Sequence, residues 1–221
     1  MNFISSVFDL VFPSRCAVCG RLGRGPLCPQ CRDRLPYIRH TSDELSSPAR
    51  SLFLFEEGGR AVVHAIKYSN ARMLARPLVQ AVLDRVEPDF LAVGCITFVP
   101  LHSSKQAERG YNQSELIAQE LARRTKMPLK RLLVQVRATR DQAQLSAEER
   151  RENVKGAYEL RRVYRGKPGV SGRLAARSLP DPVLLVDDVL TTGATASECA
   201  RVLRQAGVAD VRLLTIARAL C

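Results

Sequence analysis

Residues 183–204 read V-L-L-V-D-D-V-L-T-T-G-A-T-A-S-E-C-A-R-V-L-R. Val183 to Val186 is a run of β-formers, apolar on both faces, as expected of a strand buried between two layers. The strand carries Asp187 and Asp188 to its carboxyl end, the edge at which open α/β sheets bind ligands. Thr191, Thr192, Gly193, Ala194 and Thr195 follow. Thr195 and Glu198 have the spacing of a capping box, which predicts a helix from Thr195 to Ala206. Free backbone N–H groups and threonine hydroxyls then sit at the positive end of a helix dipole, an arrangement suited to a phosphate. A P-loop would need a lysine that is absent here, and a dinucleotide fingerprint would need glycines beyond Gly193. The plainer alternative is a buried strand, an ordinary turn and two solvated aspartates.

Working outward, the same alternation recurs. Strands are expected at Ser51–Phe55, Cys95–Val99, Leu132–Val136 and Val211–Ala217. Helices are expected at Ala61–Tyr68, Met73–Val86 and Gln113–Arg124, the last with Asn112 and Glu115 at N-cap and N3. Apolar strands alternating with helices indicate an α/β fold, a mostly parallel sheet flanked by helices. Cys95 and Cys199 fall on apolar positions and read as core. The basic, turn-rich stretch 161–181 is long for a loop.

The N-terminal region differs in kind. Phe3, Ile4, Val7, Phe8, Val11 and Phe12 lie on one face of a short amphipathic helix that Pro13 ends. Beyond it, Cys16, Cys19, Cys28 and Cys31 form two C-x-x-C pairs. Four thiolates so spaced suit tetrahedral Zn²⁺ and leave no open position, so the metal is structural. The competing reading, a redox C-x-x-C, lacks the βαβ unit that normally carries it. Seven cysteines, an odd number, and no secretory signal argue for a reducing cytoplasm. The expected organisation is an N-terminal helix and four-cysteine zinc ribbon over 1–40, a linker over 41–50 and an α/β domain over 51–221.

The formal charge is +12 for 221 residues, and no apolar run approaches the ~20 residues of a membrane span. Sixteen of the basic residues lie between Arg123 and Arg177 against five acidic ones, so nearly the whole excess sits in one quarter of the chain. Such asymmetry points to a polyanionic partner or substrate; the alternative is a solvated, solubilising face.

The segment Asp187 to Thr195 resembles the phosphoribosyl diphosphate (PRPP) signature of type I phosphoribosyltransferases. The wider chain resembles the ComF (ComFC) family of competence and DNA-utilisation proteins. That likeness is carried by Phe12-Pro13 before the cysteines, Ile66-Lys67-Tyr68, Val99-Pro100, Arg109-Gly110-Tyr111-Asn112-Gln113, and Arg140, Gln142, Leu145, Arg150, Asn153 and Val154. It implies a type I phosphoribosyltransferase-like domain. Asp187 and Asp188 would be the candidate catalytic residues, accepting hydrogen bonds from the ribose hydroxyls. Thr191–Thr195 would cradle the 5′-phosphate. The turn at His102 and Ser103 would face the diphosphate, with Lys67, Arg109 and Arg137 as candidate cations. Residues 137–151 fall where such enzymes carry a lid, and Mg²⁺ would accompany PRPP through the ligand's own oxygens.

Two functions are then in view. One is PRPP binding with transfer of the phosphoribosyl group to an acceptor that no residue declares. The other is a non-catalytic, single-stranded nucleic-acid-binding accessory factor working with DNA-uptake proteins.

Overall fold

The computed structural model describes residues 14–38, 47–68, 71–140, 145–165 and 179–220. The amphipathic N-terminal helix, most of the linker and the greater part of the 161–181 stretch lie outside them.

The described elements run α1 (Pro29–Asp33), β1 (Ala49–Leu54), α2 (Glu57–Tyr68), α3 (Ala71–Leu83), α4 (Pro88–Leu91), β2 (Cys95–Phe98), α5 (Ser103–Arg109), α6 (Gln113–Thr125), β3 (Leu133–Gln135), α7 (Ala147–Val154), β4 (Tyr158–Leu160), β5 (Val183–Leu190), α8 (Ala194–Gln205) and β6 (Val211–Arg218). Strands β1, β6, β5 and β2, in that order, form one sheet in which every pairing is parallel.

Apolar residues on both faces of these strands explain the layers. Leu184 and Val186 of β5, Ile96 and Phe98 of β2, and Leu214 and Ile216 of β6 join a core with α2, α3 and α6. Their alternates, Val183 and Leu185, Cys95, and Val211 and Leu213, join a second core with α8. Successive side chains on a strand point to opposite faces, so each strand supplies both layers.

Two expectations about this framework are corrected. The apolar run around Leu133 is a strand, but it does not join the parallel sheet. It pairs antiparallel with β4 as a separate ribbon, Leu133 opposite Leu160 and Gln135 opposite Tyr158. The linker also ends early, because β1 already begins at Ala49.

Both outer edges of the sheet are covered. Beside β2, Ile96 N donates to Pro128 O and Lys130 N donates to Ile96 O, at 2.8 and 2.9 Å. Beside β1, the chain leaving the cysteine cluster runs antiparallel: Leu54 N donates to Pro36 O at 2.9 Å and Ile38 N to Leu52 O at 3.1 Å. Cys16, Leu27, Cys28 and Leu35 pack in the same core as Leu52 and Phe53. The cysteine module is therefore built into the domain. No described helix is long and apolar enough to cross a membrane.

Candidate functional site

The sulfurs of Cys16, Cys19, Cys28 and Cys31 all lie within 4.8 Å of one another. Burial would push the Cys16 thiol up, but the backbone N–H groups of Cys19, Cys28 and Val18 outweigh it and bring the pKa down to about 6. Burial and the neighbouring sulfurs push Cys31 up to about 12. Four thiols this close cannot all ionise without a cation among them, which is the electrostatic demand that Zn²⁺ meets. The cluster is the ligand set of a structural zinc.

At the other end of the chain, β5 is longer than expected and runs through both aspartates to Leu190. The two aspartates then meet different surroundings. Asp187 lines an open hollow of about 260 Å³ with Val189, Thr191, Gly193, Ala194, Thr195 and Thr215. Asp188 follows Leu184 and Val186 towards α2 and α6, where it is 7% exposed. Its Oδ1 accepts from Val189 N at 2.8 Å, and its Oδ2 accepts from Gln113 Nε2 at 3.0 Å. The Lys67 ammonium stands 3.2 Å from the same Oδ2.

Asp187 Oδ1 accepts from Ser114 Oγ and from Asp188 N, both at 2.9 Å. Burial and then the adjacent Asp188 charge push its pKa up to about 8; the Asp188 N–H, Ser114 and Lys67 pull the other way. Burial and the neighbouring charge thus favour the protonated form of the carboxyl facing the hollow.

The loop beyond the acid pair departs from the expected capping box. Gly193, at φ 74°, is the N-cap, and α8 begins at Ala194 with no side-chain cap. Only glycine adopts that left-handed conformation at little cost. Glu198 turns away instead, accepting from Gly156 N at 2.8 Å and from the Arg201 guanidinium at 2.7 Å. It therefore fastens the β3–β4 ribbon to α8. Thr192 Oγ1 is buried with no hydrogen-bond partner. An unpaired buried hydroxyl is costly, so the loop holds a donor that a bound anion would satisfy.

The remaining sequence-selected residues divide. Lys67 and Arg109 converge on the acid pair, Arg109 through Gln113, to which it donates at 2.9 Å. His102 is the N-cap of α5, its ring accepting from Ser104 N, and Ser103 is exposed at the first position of that helix. Arg137 is engaged elsewhere, donating to Asn153 O at 3.0 Å and Lys155 O at 2.9 Å. Asn153 in turn exchanges two 3.0 Å hydrogen bonds with the Arg140 backbone, closing the base of the 137–151 segment. Sequence reasoning did not select Gln113 and Ser114 as site residues, although both lie in or beside the quoted 109–113 motif and occupy the polar first turn of a predicted helix.

Fold and site together define an α/β protein with a parallel sheet, a zinc ribbon joined to its edge, and an acidic pair ahead of a glycine-capped helix. Residues 7–48 match the double zinc ribbon domain, although that span holds four cysteines, enough for one zinc. The chain is 30% identical over 237 residues to Competence protein F of Haemophilus influenzae, covering 94% of this chain and 98% of the relative. It is 30% identical over 228 residues to DNA utilization protein YhgH of Salmonella typhi, covering 93% and 90%. The chain belongs to this competence and DNA-utilisation family. A solved structure, TT1426 from Thermus thermophilus, aligns over 70% of this chain and 85% of its own at 16% identity with a TM-score of 0.33.

Proposed function

We propose that the chain binds PRPP, or a closely related phosphoribosyl ligand, at the carboxyl edge of its sheet in the service of DNA uptake or utilisation. The observation that carries the reading is the unpaired Thr192 hydroxyl in a glycine-capped loop directly beyond the Asp187 carboxyl. The loop 191–195 takes the 5′-phosphate through its hydroxyls and the N–H groups of α8. Asp187, in the hollow, accepts from a ribose hydroxyl, and Asp188 holds Lys67 and Gln113 beside it. Lys67 and Arg109 supply positive charge for the diphosphate.

The acid pair is too closely tied to Ser114, Gln113 and Lys67 to make a cation cage of its own, so Mg²⁺ fits here through ligand oxygens. When bound it neutralises diphosphate charge. Transfer of the phosphoribosyl group would break the bond from the anomeric carbon to diphosphate, and the protein's part would be to orient the ribose and exclude water.

Calorimetric titration of the zinc-loaded protein with PRPP, with and without Mg²⁺, tests the reading. Binding that is lost in an Asp187→Asn/Asp188→Asn variant supports it, and no binding by folded wild type removes it.

A second reading has its own observation. Arg151, Arg161 and Arg162 are exposed, and the acidic residues nearby are largely occupied within the same surface. A single-stranded nucleic acid would suit them, with affinity that falls steeply as salt rises and tolerates Asp188→Asn.

A further inference from the structure

Two sequence motifs that lie far apart in the chain are packed against each other at the acid pair. From the first, Ile66 O accepts from Tyr111 Oη at 3.0 Å, and the Tyr68 ring lies 5.3 Å beneath the Arg109 guanidinium. From the second, Gln113 is 5% exposed and both ends of its amide are used. Its Nε2 donates to Asp188 and its Oε1 accepts from Arg109. A carboxylate only accepts and a guanidinium only donates, so the amide can sit in one orientation alone.

That orientation keeps two opposite charges apart. Asp188 is already paired with Lys67. Were Arg109 to reach Asp188 directly, its charge would be consumed by the carboxylate. The intervening neutral amide holds the guanidinium nearby, and among the described residues Arg109 makes no other side-chain hydrogen bond. Its remaining donors are left for an incoming anion.

We propose that Gln113 is a positioning residue: it ties Arg109 to Asp188 at a fixed spacing and so presents Arg109, beside Lys67, to the diphosphate end of the ligand. This rests on the PRPP reading above. Gln113 itself touches no ligand. Its effect on binding passes through Arg109, so the two residues must be coupled.

The test is a double-mutant cycle on the full, zinc-loaded chain, with Mg²⁺–PRPP titrated calorimetrically into wild type, Q113M, R109A and the double variant. Q113M is expected to weaken binding roughly tenfold while the protein stays folded, as losing a hydrogen bond to a charged group does. The double variant is expected to bind within about threefold of R109A, because coupled residues are not additive. Losses that multiply, or a Q113M variant with wild-type affinity, overturn the proposal while leaving the PRPP reading intact. If wild type binds no PRPP, that reading fails and this one with it. Should Q113M melt below the titration temperature, Q113N takes its place in the cycle, since it keeps the amide but falls one methylene short of bridging both partners.

Discussion

Asp187 and Asp188 are neighbours in sequence and accept from neighbouring residues of α6, Ser114 and Gln113, yet only Asp187 lines the hollow. Asp187 faces the hollow ahead of the 191–195 loop, whereas Asp188 is held between Lys67 and Gln113. The two carboxyls therefore respond differently to the same substitution. Asp188→Asn removes the acceptor that a half-buried ammonium and a buried amide share, and is expected to lower stability by about 1–3 kcal/mol. Asp187→Asn removes a carboxyl that takes up a proton on folding, and is expected to raise stability at pH 7, where that uptake costs the folded state. Denaturant unfolding of the two single variants separates them; equal losses would mean that the division is not real.

Asp187 also gives stability a pH dependence of defined sign. Its pKa is 3.8 in an open chain and about 8 in the fold. Between those values the folded state holds a proton that the unfolded state has released, so stability falls as pH rises through that window. Above about 8 the group is ionised in both states and the slope ends. Melting temperatures taken from pH 5 to 9 should decline more steeply for wild type than for Asp187→Asn, whose profile is expected to be flatter.

One zinc per chain is expected from metal analysis, despite the match to a double ribbon, because only Cys16, Cys19, Cys28 and Cys31 converge among the described residues. Cys16 and Cys28 are buried in the core that holds Leu52 and Phe53. Chelation should accordingly lower the melting temperature of the whole domain in one transition. An unaltered main transition after zinc loss would contradict the shared core.

Gly193→Ala places a Cβ on a residue at φ 74°. The conformational cost is about 1 kcal/mol. A larger effect is expected on the titration with PRPP, because relaxing that residue reorients the N–H groups of the loop. The comparison that matters is the loss of affinity against the loss of stability, and the former should dominate.

Much of this is legible in the sequence, and the exceptions have physical causes. The β5 and α8 elements, strands β1, β2, β3 and β6, helices α2, α3 and α6, and the cysteine cluster follow from apolar periodicity and ligand spacing, both local signals, whereas α4, α5, α7 and β4 are not expected from them. The Thr195–Glu198 capping box does not form, since Gly193 already ends the turn and Glu198 gains more from Arg201 and Gly156 N. The isolated β3–β4 ribbon escapes a local reading because the partner of Leu133 lies beyond a charged helix and a polar turn. Arg137 reads as a ready cation until the carbonyls of Asn153 and Lys155 are seen to hold it. The roles of Gln113 and Ser114 depend on contacts with residues more than seventy positions away, which no local pattern encodes.

The backbone that leaves the cysteine cluster closes the open side of β1 through Pro36 and Ile38. An uncovered edge strand offers a row of free donors and acceptors to any other extended chain. Stripping the zinc loosens the anchor of that cover and turns β1 into a template for strand addition between molecules. The apo chain is therefore expected to aggregate through its first strand in light scattering, and zinc restored before that point is expected to prevent it.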